Sequence, residues 1–144
     1  MNEEQLISRL RENGYKITPQ RIAICKIVLS NEKHPNAEQI FEEIKRKHPA
    51  ISMTTVYHTL DMLKEMGMLT ELRFNSQPSR FDPNTSVHIN IICKGCGVIW
   101  DYSSDTLRNK WNHIISEIGK QPIGQRLDVY IICDDCKKNL HQEK

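Results

Sequence analysis

Residues 52–81 read SMTTVYHTLDMLKEMGMLTELRFNSQPSRF, and the fold turns on how this stretch is read. Ser52 is a good helix N-cap, and Met53, Val56, Leu60, Leu63 and Gly67 then recur at steps of three and four, the signature of one apolar helix stripe. Thr54, Thr55, His58 and Asp61 fall on the opposite face, with Tyr57 on the border. After Gly67 the chain changes period: Leu69 to Phe74 and Ser79-Arg80-Phe81 read as short strands around the polar tip Asn75-Ser76-Gln77-Pro78. A helix presenting short polar side chains, followed directly by a hairpin, is the recognition helix and wing of a winged helix-turn-helix.

The residues upstream supply the supporting helices. Asn2 with Gln5 forms a capping-box pattern, Leu6 and Leu10 share a face, and Gly14 suits a left-handed terminator. Thr18-Pro19 starts a second helix with Ile22, Ile24, Ile27 and Val28 as its apolar side and Cys25 as a core cysteine. Asn36 with Gln39 starts a third, burying Ile40, Phe41 and Ile44 before Pro49. A helix in the major groove reads base edges with its first turns while flanking cations hold phosphates. Thr54, Thr55, Tyr57 and His58 are therefore the base-proximal candidates, and Lys16, Arg21, Arg73 and Arg80 the phosphate candidates. A helical protein-interaction domain with a threonine-rich surface is the competing reading.

Downstream, Val87 to Cys93 alternates, which puts His88 and Asn90 on one strand face. Val98 to Tyr102 reads as a second strand, and Ser103 or Ser104 caps a helix expected to bury Leu107, Trp111, Ile114 and Ile118. Arg126 to Cys133 reads as a third strand before a short polar helix. Cys93-x-x-Cys96 and Cys133-x-x-Cys136 form two knuckles, and four thiolates suit a closed, tetrahedral, structural Zn(II) site. A redox pair and an iron–sulfur cluster are the rivals. His34, Asp82, His88 and Asp101 are a second set of donor types, suited to iron, manganese or zinc, though each also has a local role as a turn or strand-end residue.

Composition bounds the alternatives. The chain has 144 residues, 38% of them hydrophobic, and a formal net charge of +2, too small by itself to establish nucleic-acid binding. No apolar run approaches a membrane span, and the start MNEEQLISRL has no signal-peptide pattern, so a cytoplasmic protein with no membrane partner is expected. No nucleophile–base pair is evident, so neither an enzyme nor a small organic substrate is expected.

Taken together, Thr18-Pro19-Gln20-Arg21, His34-Pro35, Thr55-Val56-Tyr57, Arg80-Phe81-Asp82, His88-x-Asn90-x-x-Cys93-x-x-Cys96-Gly97, Asp101-Tyr102, Arg126-Leu127-Asp128-Val129-Tyr130 and Cys133-x-x-Cys136 resemble the ferric uptake regulator family over nearly the whole chain. The likeness is closest to its peroxide-sensing PerR branch. The resemblance implies an α+β protein with a winged-helix DNA-binding domain over 1–82, a hinge at 83–86 and an α/β dimerisation and metal-binding domain over 87–144. It implies a homodimer that represses transcription by closing onto a palindromic double-stranded DNA operator when Fe(II) or Mn(II) binds. His34, Asp82, His88 and Asp101 fall on four of the five regulatory ligand positions, and Asn90 on the fifth, where the family usually has histidine. With Asn90 the site is expected to bind more weakly or to prefer Mn(II), because an amide offers only a neutral oxygen. His34 and His88 occupy the positions whose oxidation releases DNA in that branch. An iron or manganese regulator without peroxide sensing, or a constitutive zinc-stabilised DNA-binding protein, are the alternatives.

Overall fold

The computed structural model describes residues 1–142, with side chains to Leu140. The chain divides into two compact units, Met1–Thr85 and Ser86 onward. The first contains α1 (Glu3–Glu12), α2 (Pro19–Leu29), α3 (Ala37–Lys45), α4 (Met53–Glu65), β1 (Thr70–Phe74) and β2 (Gln77–Asp82). The second contains β3 (Ile89–Cys93), β4 (Ile99–Tyr102), α5 (Asp105–Ile118), β5 (Leu127–Ile131) and α6 (Asp134–Gln142). No helix among the described residues is long and apolar enough to cross a membrane.

Capping chemistry sets the helix starts. Asn2 and Asn36 each accept from the backbone of the third helical residue while Gln5 and Gln39 accept from the cap backbone, two complete capping boxes. Thr18 and Ser52 accept from Arg21 and Thr55 in the same way. The apolar stripes then meet in one core, where Leu10, Ile24, Val28, Ile40, Ile44, Val56, Leu60 and Leu63 are essentially inaccessible to solvent. Each such side chain contributes on the order of 1.5–3 kcal/mol by leaving water. Cys25 belongs to this core, and burial pushes its thiol up to about 12. Phe41 and Ile27 pack against the core from its edge and stay partly exposed, where full burial of Phe41 is expected from the sequence.

β1 and β2 form an antiparallel wing, with Thr70 opposite Asp82 and Leu72 opposite Arg80. Glu71 ties this wing to α4: Lys64 Nζ lies 2.7 Å from its carboxylate and Arg73 Nη2 3.2 Å. Burial alone would raise the Glu71 pKa, but hydrogen bonds from Lys64, Ser79 and Arg73 outweigh it and hold the carboxyl down at about 2.

In the second unit the strands lie in the order β4-β3-β5, with β4 antiparallel and β5 parallel to β3. A parallel partner requires a crossover, and α5 provides it. Ser104 caps α5, and Gly119 ends it at φ +67°, a left-handed position that glycine adopts without a Cβ penalty. Two expectations are corrected here. β5 covers Leu127–Ile131 rather than Arg126–Cys133, because the knuckle at Cys133 leaves the ladder. None of Leu107, Trp111, Ile114 and Ile118 is buried, and Ile114 and Ile118 are 42% and 57% exposed. Three short strands in one chain do not offer enough surface to cover that helix face.

Candidate metal centres and nucleic-acid interface

Cys93 closes β3, Cys96 follows one tight turn later, and Cys133 and Cys136 flank the start of α6. Their sulfurs all lie within 4.8 Å of one another, with Cys93 and Cys136 at 3.8 Å and Cys96 and Cys133 at 3.9 Å. A tetrahedron of Zn–S bonds of about 2.3 Å has edges of about 3.8 Å, so the spacing fits a four-thiolate zinc site. A disulfide would need sulfurs about 2.05 Å apart, so these distances do not describe one. Backbone geometry builds the cage: Gly97 N–H donates to the Cys93 carbonyl, Lys94 N–H to Ile131, and Cys133 N–H to the Cys93 sulfur at 3.3 Å. Amide donation from Cys133, Cys96 and Gly95 holds the Cys93 thiol down at about 6. Hydrogen bonding with the Cys133 thiol, followed by burial, pushes Cys136 up to about 12. Four crowded thiols resist full ionisation by themselves, which is the charge problem a divalent cation solves. Gly95 leaves room for this arrangement: a Cβ there would stand 2.7 Å from the Cys136 sulfur.

The other donor residues are arranged within each unit. In the first, His34 follows the turn at Glu32 and Lys33 that precedes α3, and Asp82 ends β2; both are buried, with Nε2 and Oδ2 3.7 Å apart. His34 has φ +52°, the one non-glycine residue with positive φ among those described. That conformation costs about 1–2 kcal/mol and persists only where neighbours enforce it. Arg80 does so: its Nε donates to the His34 carbonyl and its Nη2 to the Lys33 carbonyl at 3.1 Å, while Phe81 N–H donates to Pro35. Asp82 is fixed in turn by accepting from Asn84 N–H at 2.8 Å.

In the second unit, His88 Nδ1 lies 2.8 Å from the Ser86 carbonyl. Its Nε2 lies 3.2 Å from Asn90 Oδ1 and 3.7 Å from Asp101 Oδ1. The antiparallel register that pairs Asn90 with Asp101 brings these groups together. Asn90 is buried, and its amide nitrogen donates to Asp128 at 3.1 Å. Sequence reasoning from donor types does not reach Asp128 and its partner Arg126. The signal was the alternation Arg126-x-Asp128-x-Tyr130, which puts three polar groups on one strand face, beside Asn90 in the parallel register.

On α4, Thr54 and His58 are exposed and Tyr57 is 48% exposed. The Thr55 hydroxyl is 2.9 Å from that of Ser52 and helps build the cap. Lys16 and Arg73 are exposed, and Arg21 is half-buried with its guanidinium donating to the Lys16 carbonyl. Arg80, a phosphate candidate by sequence, is instead half-buried against the His34 turn because its fork matches two backbone carbonyls there.

Residues 12–130 match the model of the ferric uptake regulator family. The peroxide-responsive repressor PerR of Staphylococcus epidermidis is 36% identical over 138 residues, covering 94% of this chain and 90% of that relative. The crystal structure of the Campylobacter jejuni peroxide stress regulator is 31% identical, superposes with a TM-score of 0.72 and covers 94% of this chain and 100% of its own. The Helicobacter pylori ferric uptake regulator Fur, at 22% identity, shares the fold with a TM-score of 0.77 over 95% of each chain.

Proposed function

The chain belongs to the ferric uptake regulator family, and from that premise we propose that it is a metal-dependent, DNA-binding transcriptional repressor whose regulatory ion is Fe(II) or Mn(II) and whose Cys93-Cys96-Cys133-Cys136 site holds structural Zn(II). The observation that carries the reading is the donor chemistry of each unit. His34 and Asp82 are buried and face each other in the first, and His88, Asn90 and Asp101 converge in the second. Nitrogen with carboxylate and amide oxygen suits iron or manganese, and the four thiolates suit zinc.

The bound regulatory ion in this proposal favours the arrangement of the protein that binds DNA. It does so only through differential affinity: a preference of about 10³-fold supplies about 4 kcal/mol. In that arrangement a homodimer presents two α4 helices to a palindromic operator, with Thr54, Thr55, Tyr57 and His58 at base edges and Lys16, Arg21 and Arg73 at phosphates. Dimerisation is supported by Trp100, Tyr102 and Val129, which share one sheet face, and by Ile114 and Ile118 of α5, all exposed and all in the second unit. Exposed apolar side chains of this kind are what a second copy of the chain would cover.

The finer proposal is peroxide sensing, in which a ligand imidazole, His34 or His88, gains one oxygen atom when peroxide meets bound Fe(II), and the site then loses its grip on the ion. The zinc-loaded protein is treated with Fe(II) and limited peroxide, with Mn(II) as control, and digested for peptide masses. One added oxygen on His34 or His88 with iron alone is the expected result. Asn90 favours a second reading, a manganese- or iron-dependent regulator that does not sense peroxide. Unmodified histidines in a protein that still binds DNA on metal addition would establish it.

A further inference from the structure

We propose that Asp128, clamped by Arg126, is a positioning residue that holds the Asn90 amide oxygen toward His88 and Asp101, making Asn90 an oxygen donor to the regulatory ion and tilting the site toward Mn(II) over Zn(II). The inference rests on the regulatory-site reading above and adds residues to it.

An asparagine side chain can present either end, and its neighbours decide which. Asp128 is an acceptor whose surroundings are all donors. Arg126 Nε lies 3.1 and 2.9 Å from its two oxygens, Arg126 Nη2 2.8 Å from Oδ2, and the Tyr130 hydroxyl donates to Oδ2 at 3.2 Å. The carboxylate accepts from the Asn90 NH₂, 3.1 Å away. The amide oxygen is left on the other side, 3.2 Å from His88 Nε2.

His88 is oriented by the same logic. The Ser86 carbonyl, 2.8 Å from Nδ1, only accepts, so Nδ1 donates there and Nε2 is the nitrogen turned toward Asn90 and Asp101. The Asn90 oxygen and the Asp101 carboxylate lie 3.2 and 3.7 Å from that nitrogen, with Asn90 only 2% exposed. Adjacent ligands of a six-coordinate ion at about 2.1–2.2 Å are about 3 Å apart, close to the His88–Asn90 spacing. Donation of the amide N–H to a carboxylate also polarises the amide and makes its oxygen a better donor. Oxygen where an imidazole would otherwise stand weakens the site for zinc more than for manganese.

The test uses the full-length protein with zinc in its cysteine site and follows binding of added Mn(II) by loss of the free-ion electron paramagnetic resonance signal. Asp128→Asn is expected to weaken Mn(II) binding about tenfold, with zinc content and far-ultraviolet circular dichroism unchanged. Arg126→Gln should weaken it in the same direction by less, and serves if Asp128→Asn does not fold. Asn90→Ala should weaken it at least as much as Asp128→Asn. Adding Asp128→Asn to Asn90→Ala should then change nothing beyond about twofold, a coupling that a general structural role would not produce. Unchanged Mn(II) affinity in Asp128→Asn, or an equal loss with Asn90 already removed, would overturn the positioning role alone. Failure of the unsubstituted protein to bind Mn(II) would overturn the regulatory-site reading itself.

Discussion

Gly95 shows how one hydrogen in place of a methyl group can decide a metal site. Its Cα lies where any Cβ would stand 2.7 Å from the Cys136 sulfur and 2.9 Å from the Cys136 Cβ, both fixed by the cage. Gly95→Ala must therefore displace a ligand, and zinc affinity measured against a competing chelator is expected to fall by at least about tenfold. An unchanged affinity would mean that the knuckle has slack the geometry does not show. His34 makes the complementary point: its left-handed backbone is a cost accepted to aim an imidazole at Asp82, and Arg80 enforces it. The motif Arg80-Phe81-Asp82 is visible in the sequence. That Arg80 faces inward is not, because the carbonyls it satisfies lie more than forty residues back in the chain.

At the scale of elements, the wing and α4 behave as one piece because Glu71 bridges Lys64 and Arg73. Its folded pKa of about 2 lies below the ordinary 4.5, so the stabilisation it gives is fully present above pH 4.5 and is lost as the pH falls toward 2. Glu71→Gln is expected to cost about 1 kcal/mol at neutral pH, allowing for solvent screening of Lys64 and Arg73. The gap to the unsubstituted protein should narrow when denaturant titrations are repeated near pH 3. Helix starts were legible because capping is local: Asn2 with Gln5, Thr18 with Pro19, and Asn36 with Gln39 act within four residues. Burial of α5 was not. Its periodicity correctly reports an apolar face, but whether a face is covered depends on what lies beyond the chain's own three-stranded sheet.

Over the whole molecule, the two cysteine knuckles and the order of motifs were readable because each is a short spacing with a chemical reason. The meeting of His34 with Asp82, or of Asn90 with Asp128, was not, since one needs β2 to return beside the turn before α3 and the other needs a parallel register set by a crossover helix. In the proposed function the cysteine site holds the second unit together whatever the regulatory state, and the nitrogen–oxygen donors couple metal to DNA. The most direct measurement is Mn(II)-dependent binding of zinc-loaded protein to a duplex enriched by it from random sequence, compared with Asp82→Ala. The variant is expected to keep its zinc and its fold but to lose at least about tenfold in metal-dependent DNA affinity, about 1.4 kcal/mol. Metal-dependent binding undiminished in Asp82→Ala would contradict it.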